Sequence, residues 1–203
     1  MITGVYQSAP MLVMIVAFYI MDFMMMHRYS KEREQAKTGR AWDYTLFSLA
    51  VTLLLILQPI FLPFLGLSTS AKWGLVIQAL GVILILLAFG LHLWARLHLR
   101  QFYAERVEVI PEHYVVESGP YALVRHPIIC SFFTFAMGLF LINPALTTLA
   151  VLIYTFWDFG HAAIKEEELL SKEVPGYTSY MKKVPRFWPI FNRAQPPTQD
   201  GIK

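Results

Sequence analysis

The sequence predicts an all-α, polytopic integral membrane protein of about five transmembrane helices, with a polar pocket on its cytoplasmic face and a C-terminal amphipathic helix. Three observations predict it. Hydrophobic residues make up 56% of the 203 positions and charged ones only 15%, with a mean hydropathy of +0.48, whereas soluble domains carry nearer a quarter charged residues. The apolar residues are blocked into long runs, not scattered at core spacing. The positive charges sit between those runs, so the net charge of +3 speaks of topology; no basic, aromatic-interleaved face of the kind nucleic acid needs is present. Residues 1–193 read as one membrane domain. "AQPPTQDGIK", residues 194–203, reads as a polar, Pro-rich disordered tail.

Five apolar segments follow in order: 9–26, 44–65, 73–95, 128–142 and 145–160. The first lacks the basic flank and small-residue cleavage site of a leader and reads as an anchor. Pro59 and Pro63 are expected to kink the second, since each removes a backbone donor. The fourth and fifth fall short of the roughly 17–25 residues of a usual span. Only Asn143-Pro144 parts them, so they read as a tight helical hairpin. Arg28, Lys31, Arg33, Lys37 and Arg40 fill the first loop, Lys72 alone the second, and "RLHLRQFYAER" follows the third segment. By the positive-inside rule the N-terminus lies outside, and the first loop, the third loop and the C-terminus lie on the cytoplasmic side.

Two polar stretches share that inner face. The first, 96–127, holds "VEVI" and "HYVV" pieces that read as extended, then a turn at Ser118-Gly119-Pro120. Pro127 suits the first position of the fourth helix, where its missing N–H costs nothing. His126 then stands at the N-cap with Arg125 just outside. Guanidinium, imidazole and the first free amides near Ile128 to Cys130 together suit a small anionic or polar ligand. The bland alternative is a headgroup-seeking arginine and a helix-capping histidine.

The second stretch, 158–186, opens with Glu166, Glu167 and Glu168. On a helix Glu166 shares a face with Leu170 while Glu167 and Glu168 fan round toward others, so at least one carboxylate can point back toward the bilayer-facing cleft; the bland alternative is a solvated surface. Phe187 and Trp188 read as interfacial anchors. Asp22 and Asp158 lie inside spans, which makes each a candidate by default, and both are near enough to span ends to reach the interface. His92 and His98 are six apart, a poor spacing for a helical metal site, and Cys130 is the sole cysteine. No metal site is expected, and no Gly-rich phosphate loop or serine elbow is present.

"HYVVESGPYALVRHP", an apolar hairpin, then "EEELL…Y…Y…VPRFWP" resembles the isoprenylcysteine carboxyl methyltransferase family and the related phospholipid methyltransferases, over about residues 100–190. The resemblance implies a multi-helix membrane enzyme that uses S-adenosyl-L-methionine without a Rossmann domain. It implies cofactor contacts at His113, Tyr114, Val115, Val116, Gly119, Tyr121, His126, Pro127, Glu166 and Glu167, with Glu166, His126 and Arg125 serving catalysis. Two positions depart from the family pattern: Ile129 stands where a tyrosine is frequent, and Ala162 where prenylcysteine enzymes carry an arginine.

The expected activity is methyl transfer to a lipophilic acceptor: a prenylcysteine carboxylate, a phospholipid amine, a thiol or another lipid. The expected partners are membrane lipids and that lipophilic or prenylated substrate, not nucleic acid. Two alternatives stand beside it: a sterol-reductase-type enzyme using NADPH, for which the chain is short, and a non-catalytic lipid-binding or assembly protein.

Overall fold

The computed structural model describes residues 2–30, 42–67, 71–99 and 115–189. Six α-helices run through them: α1 Val5–Ser30, α2 Trp42–Phe61, α3 Ala71–Leu99, α4 Pro127–Ile142, α5 Leu146–Glu173 and α6 Tyr177–Lys183. No strand occurs among the described residues. His113, Tyr114, the "VEVI" piece and the tail 194–203 lie outside them.

The helices follow the apolar runs, with two differences. The second helix runs through Pro59 and stops at Phe61; Pro63 does not kink it but opens a separate 3-10 turn, Pro63–Leu65. The fifth does not end near the membrane exit. It continues unbroken to Glu173, because no Gly or Pro interrupts "HAAIKEEELLSKE" after Gly160, and so carries the glutamates on the same rod as the apolar segment.

Val5–Met25 and Trp73–Leu99 are long and apolar enough to cross a bilayer, and Ser48–Phe61 and Pro127–Ile142 are shorter apolar helices. Large apolar side chains stand outward along them: Leu86 is 64% exposed and Leu87 60%. A surface of this kind is suited to lipid.

Packing against α3 positions α4. Gly81 and Gly138 face each other so closely that a Cβ on Gly138 would lie 2.8 Å from the Gly81 carbonyl oxygen and 2.6 Å from the Ile85 side chain. Small residues are what let membrane helices approach this far. Phe18 of α1 fills the centre, edge-on to Phe89 and Phe132 and tilted against Phe135. Asp22, one of the in-span carboxylates, pairs with Arg96, and its Oδ1 lies 2.8 Å from His92 Nε2; His92 Nδ1 in turn lies 2.8 Å from Ser131 Oγ. This chain ties α1, α3 and α4 together through buried polar groups.

At the α4–α5 turn the ties are neutral amides. Gln7 donates to Ile142 O at 2.7 Å, Asn143 donates to Gln58 Oε1 at 2.7 Å, and Gln78 donates to Ile142 O at 3.0 Å. Thr148 donates to Asn143 O at 2.6 Å and closes the turn.

Candidate functional site

The opposite end of the α4–α5 hairpin is ionic. Ser118-Gly119-Pro120 does form a turn: Gly119 takes φ +60°, and the chain enters a 3-10 helix, Gly119–Ala122. A Cβ on Gly119 would sit 2.4 Å from the His98 ring, so both the backbone angle and the close approach demand glycine. Pro127 occupies the first turn of α4 and His126 its N-cap, as the spacing predicts.

His126 does not cap the helix with its side chain. Its ring points across to α5, with Nε2 2.9 Å from Glu167 Oε1 and Nδ1 3.4 Å from Glu166 Oε2. Nor does Arg125 snorkel. Its Nε donates to Glu167 Oε1 at 2.9 Å, and its Nη1 donates to the carbonyls of Met181 and Val184 at 2.7 and 2.9 Å. Those two acceptors are at the end of α6, so one guanidinium clamps α5 and α6 to the start of α4.

The expectation of free amides needs correcting in part. Cys130 N–H is spent on His126 O at 3.0 Å, as the first closed turn of any helix requires. Arg125 and His126 also hold the returning chain through their backbone: Arg125 N–H donates to Pro185 O at 2.8 Å and His126 N–H to Arg186 O at 3.2 Å.

That pairing brings in Arg186, which motif reading left out. Its guanidinium meets Glu167 bidentately, Nε to Oε1 at 3.0 Å and Nη2 to Oε2 at 2.6 Å. The only sequence signal was its place in "VPRFWP", read for its aromatics. Phe187 also packs toward the site: its ring lies 5.3 Å from Phe133 and 5.9 Å from His126, and its carbonyl accepts from Cys130 Sγ. Trp188 alone stays exposed.

The two adjacent glutamates therefore have different environments. Glu167 is 3% exposed and takes Arg125, His126 and Arg186. Burial opposes its ionisation, but the hydrogen bonds from His126 and Arg186 and the charges of His126 and Arg125 prevail and hold it at about 2. The Glu166 side chain is 42% exposed and, among the described residues, pairs only with the far nitrogen of His126. Burial also disfavours the imidazolium, yet hydrogen bonds to Glu166 and Glu167 raise the His126 pKa above its ordinary value. A doubly protonated ring satisfies both carboxylates.

Around this cluster Tyr180 donates to Tyr121 O at 2.7 Å. Val115 packs against Leu170, Val174, Tyr177 and Tyr180, and Val116 against Ala95, Tyr121 and Ile128. Burial and the nearby glutamates push the Tyr177 phenol up, so it stays neutral. Of the residues singled out in the sequence, Val115, Val116, Gly119, Tyr121, Arg125, His126, Pro127, Glu166 and Glu167 thus gather at one end of the bundle. Among the described residues, no group of three or more His, Cys, Asp or Glu converges as a metal centre would.

Comparison with known proteins bears on this region. Residues 80–172 match the model of the isoprenylcysteine carboxyl methyltransferase family. The chain is 33% identical over 76 residues to the nickel-cobalt-cadmium resistance protein NccN of Alcaligenes xylosoxydans xylosoxydans, which covers 37% of this chain and 36% of that one. It is equally similar to the cobalt-zinc-cadmium resistance protein CzcN of Cupriavidus metallidurans, over 35% of its length. The chain thus matches about a third of the length of these curated relatives. In fold it is similar to the eukaryotic intramembrane Ras methyltransferase ICMT, with a TM-score of 0.64 at 22% identity, covering 87% of this chain and 64% of that one.

Proposed function

We propose that the chain, whose residues 80–172 match the isoprenylcysteine carboxyl methyltransferase family model, is an integral membrane, S-adenosylmethionine-dependent methyltransferase acting on a lipophilic acceptor. The proposal includes five crossings, an external N-terminus and a cytoplasmic C-terminus. The observation that carries it is the pairing of a saturated carboxylate with a more open one: Glu167 is fully engaged, and Glu166 beside it is half-exposed and lightly held.

The residues fit the cofactor. S-adenosylmethionine joins a carboxylate, an ammonium and a sulfonium on one short chain, and the cluster offers both signs of charge within one small space. Glu166 would meet the positive groups, with Val115, Val116, Gly119 and Tyr121 lining the site. Glu167 is a positioning residue that fixes Arg125, His126 and Arg186. Phe187 covers His126 and keeps water from that side. When bound, the cofactor supplies an electrophilic methyl for in-line displacement, a reaction that needs positioning and dryness more than a strong acid or base.

Titration calorimetry of the purified chain with S-adenosylhomocysteine and, separately, NADPH tests this. Binding of the first alone is expected, weakened about tenfold or more in Glu166→Gln, the loss of one charge-assisted contact. Binding of NADPH alone, or affinity unchanged in both Glu166→Gln and His126→Ala, overturns it.

A further inference from the structure

A second feature lies farther along α5, toward the α4–α5 turn. A cavity of about 510 Å³ opens between α1, α2, α4 and α5, walled by Phe18, Leu55, Phe132, Phe135, Leu139 and Val151. Leu146 and Tyr154 on its wall are exposed, so it opens sideways toward lipid. In this apolar lining two polar groups stand without a hydrogen bond among the described residues. Thr147 Oγ1 is buried and unbonded. Asp158, half-buried, likewise makes no hydrogen bond or ion pair there. Compare Asp22, the other in-span carboxylate, which is matched to Arg96 and His92.

A carboxyl group facing an apolar, lipid-open cavity is unfavourable unless a partner arrives. Among the described residues none supplies that partner, and an occupant of the cavity can bring one. Asp158 lies eight residues before Glu166, about 12 Å along the helix, and eleven after Thr147, about 16 Å. The occupant's head thus lies on the side of the ionic cluster and its tail runs toward the α4–α5 turn.

We infer that this cavity binds a single-chain amphiphile with an amine head group, paired with Asp158, and rejects the matching anionic lipid. The preference for amine over acid is a binding property and stands independently of the methyltransferase reading above. A carboxylate head would set two like charges at one apolar wall, whereas an amine completes an ion pair where water is scarce.

Native mass spectrometry of the full chain in a neutral detergent, titrated with dodecylamine, dodecanol and dodecanoic acid, tests it. Dodecylamine is expected to bind at least about tenfold tighter than dodecanoic acid, a difference of about 1.4 kcal/mol. Asp158→Asn should abolish that preference while dodecanol binding persists. Ala150→Trp, on the open wall of the cavity, should weaken all three. Equal or tighter binding of the acid overturns the inference. So does a preference that survives Asp158→Asn, and binding indifferent to Ala150→Trp places the amphiphile elsewhere. Loss of S-adenosylhomocysteine binding would remove the methyltransferase reading without moving any of these ratios.

Discussion

The two ends of the α4–α5 hairpin are both held by buried polar groups, yet they are built differently. At the turn, Gln7, Gln58, Gln78 and Asn143 exchange hydrogen bonds with one another and with the Ile142 carbonyl. At the other end, Arg125, His126 and Arg186 surround Glu167, and Glu166 remains half open. Neutral amides can close a network completely, because each carries both donors and acceptors. A cluster of full charges must be balanced, and an exposed carboxylate at its edge is available to something else. The first end is structure; the second is structure with a binding capacity attached.

Substitution separates the two. Glu167→Ala strands three cations in a buried site and is expected to cost about 3–5 kcal/mol, read as loss of folded protein in detergent unfolding. A mild effect would mean the ionic end is not the keystone proposed. The pH dependence should follow the same group. Its folded pKa of about 2 lies below the ordinary 4.5, so its contribution is present above pH 4.5. It is lost as the pH falls toward 2, on the order of 3 kcal/mol in all. His126 has the opposite sign: its raised pKa gives stability that is present below about 6.5 and fades as the pH climbs through the folded value. A Gln58→Ala variant should flatten neither limb.

At the amide end, Gln58→Ala leaves the Asn143 amide without its acceptor and is expected to cost about 1–3 kcal/mol, with cofactor affinity unchanged. Smallest of all is Glu166→Gln: under about 1 kcal/mol in melting experiments, as for exposed ion pairs, while S-adenosylhomocysteine affinity falls. If Glu166→Gln destabilised as strongly as Glu167→Ala, the distinction between the two glutamates would collapse.

Much of this was legible in the chain. Helix positions follow hydropathy, Pro127 and Gly119 mark a helix start and a turn through backbone chemistry, and the order of the motifs foretells a shared site. What escaped did so for identifiable reasons. Glu166 and Glu167 stand four and three residues before Leu170, and either spacing shares a helix face. Only tertiary packing, with Ala163 and Leu170 buried alongside, turns Glu167 inward. Arg186 meets Glu167 because residues 185–186 pair with 125–126, a contact with no local periodicity. Asp22 finds Arg96 across 74 positions of sequence, beyond any pattern on α1. Local rules place elements; long-range ion pairing has to be seen.

The most direct test of the central claim is hydrogen–deuterium exchange of the full chain in lipid nanodiscs with and without S-adenosylhomocysteine. The account predicts slowed exchange in peptides covering 115–130 and 163–187, with none in those covering 54–67 and 142–149. Protection confined to the amide end, or none anywhere at saturating ligand, would contradict it.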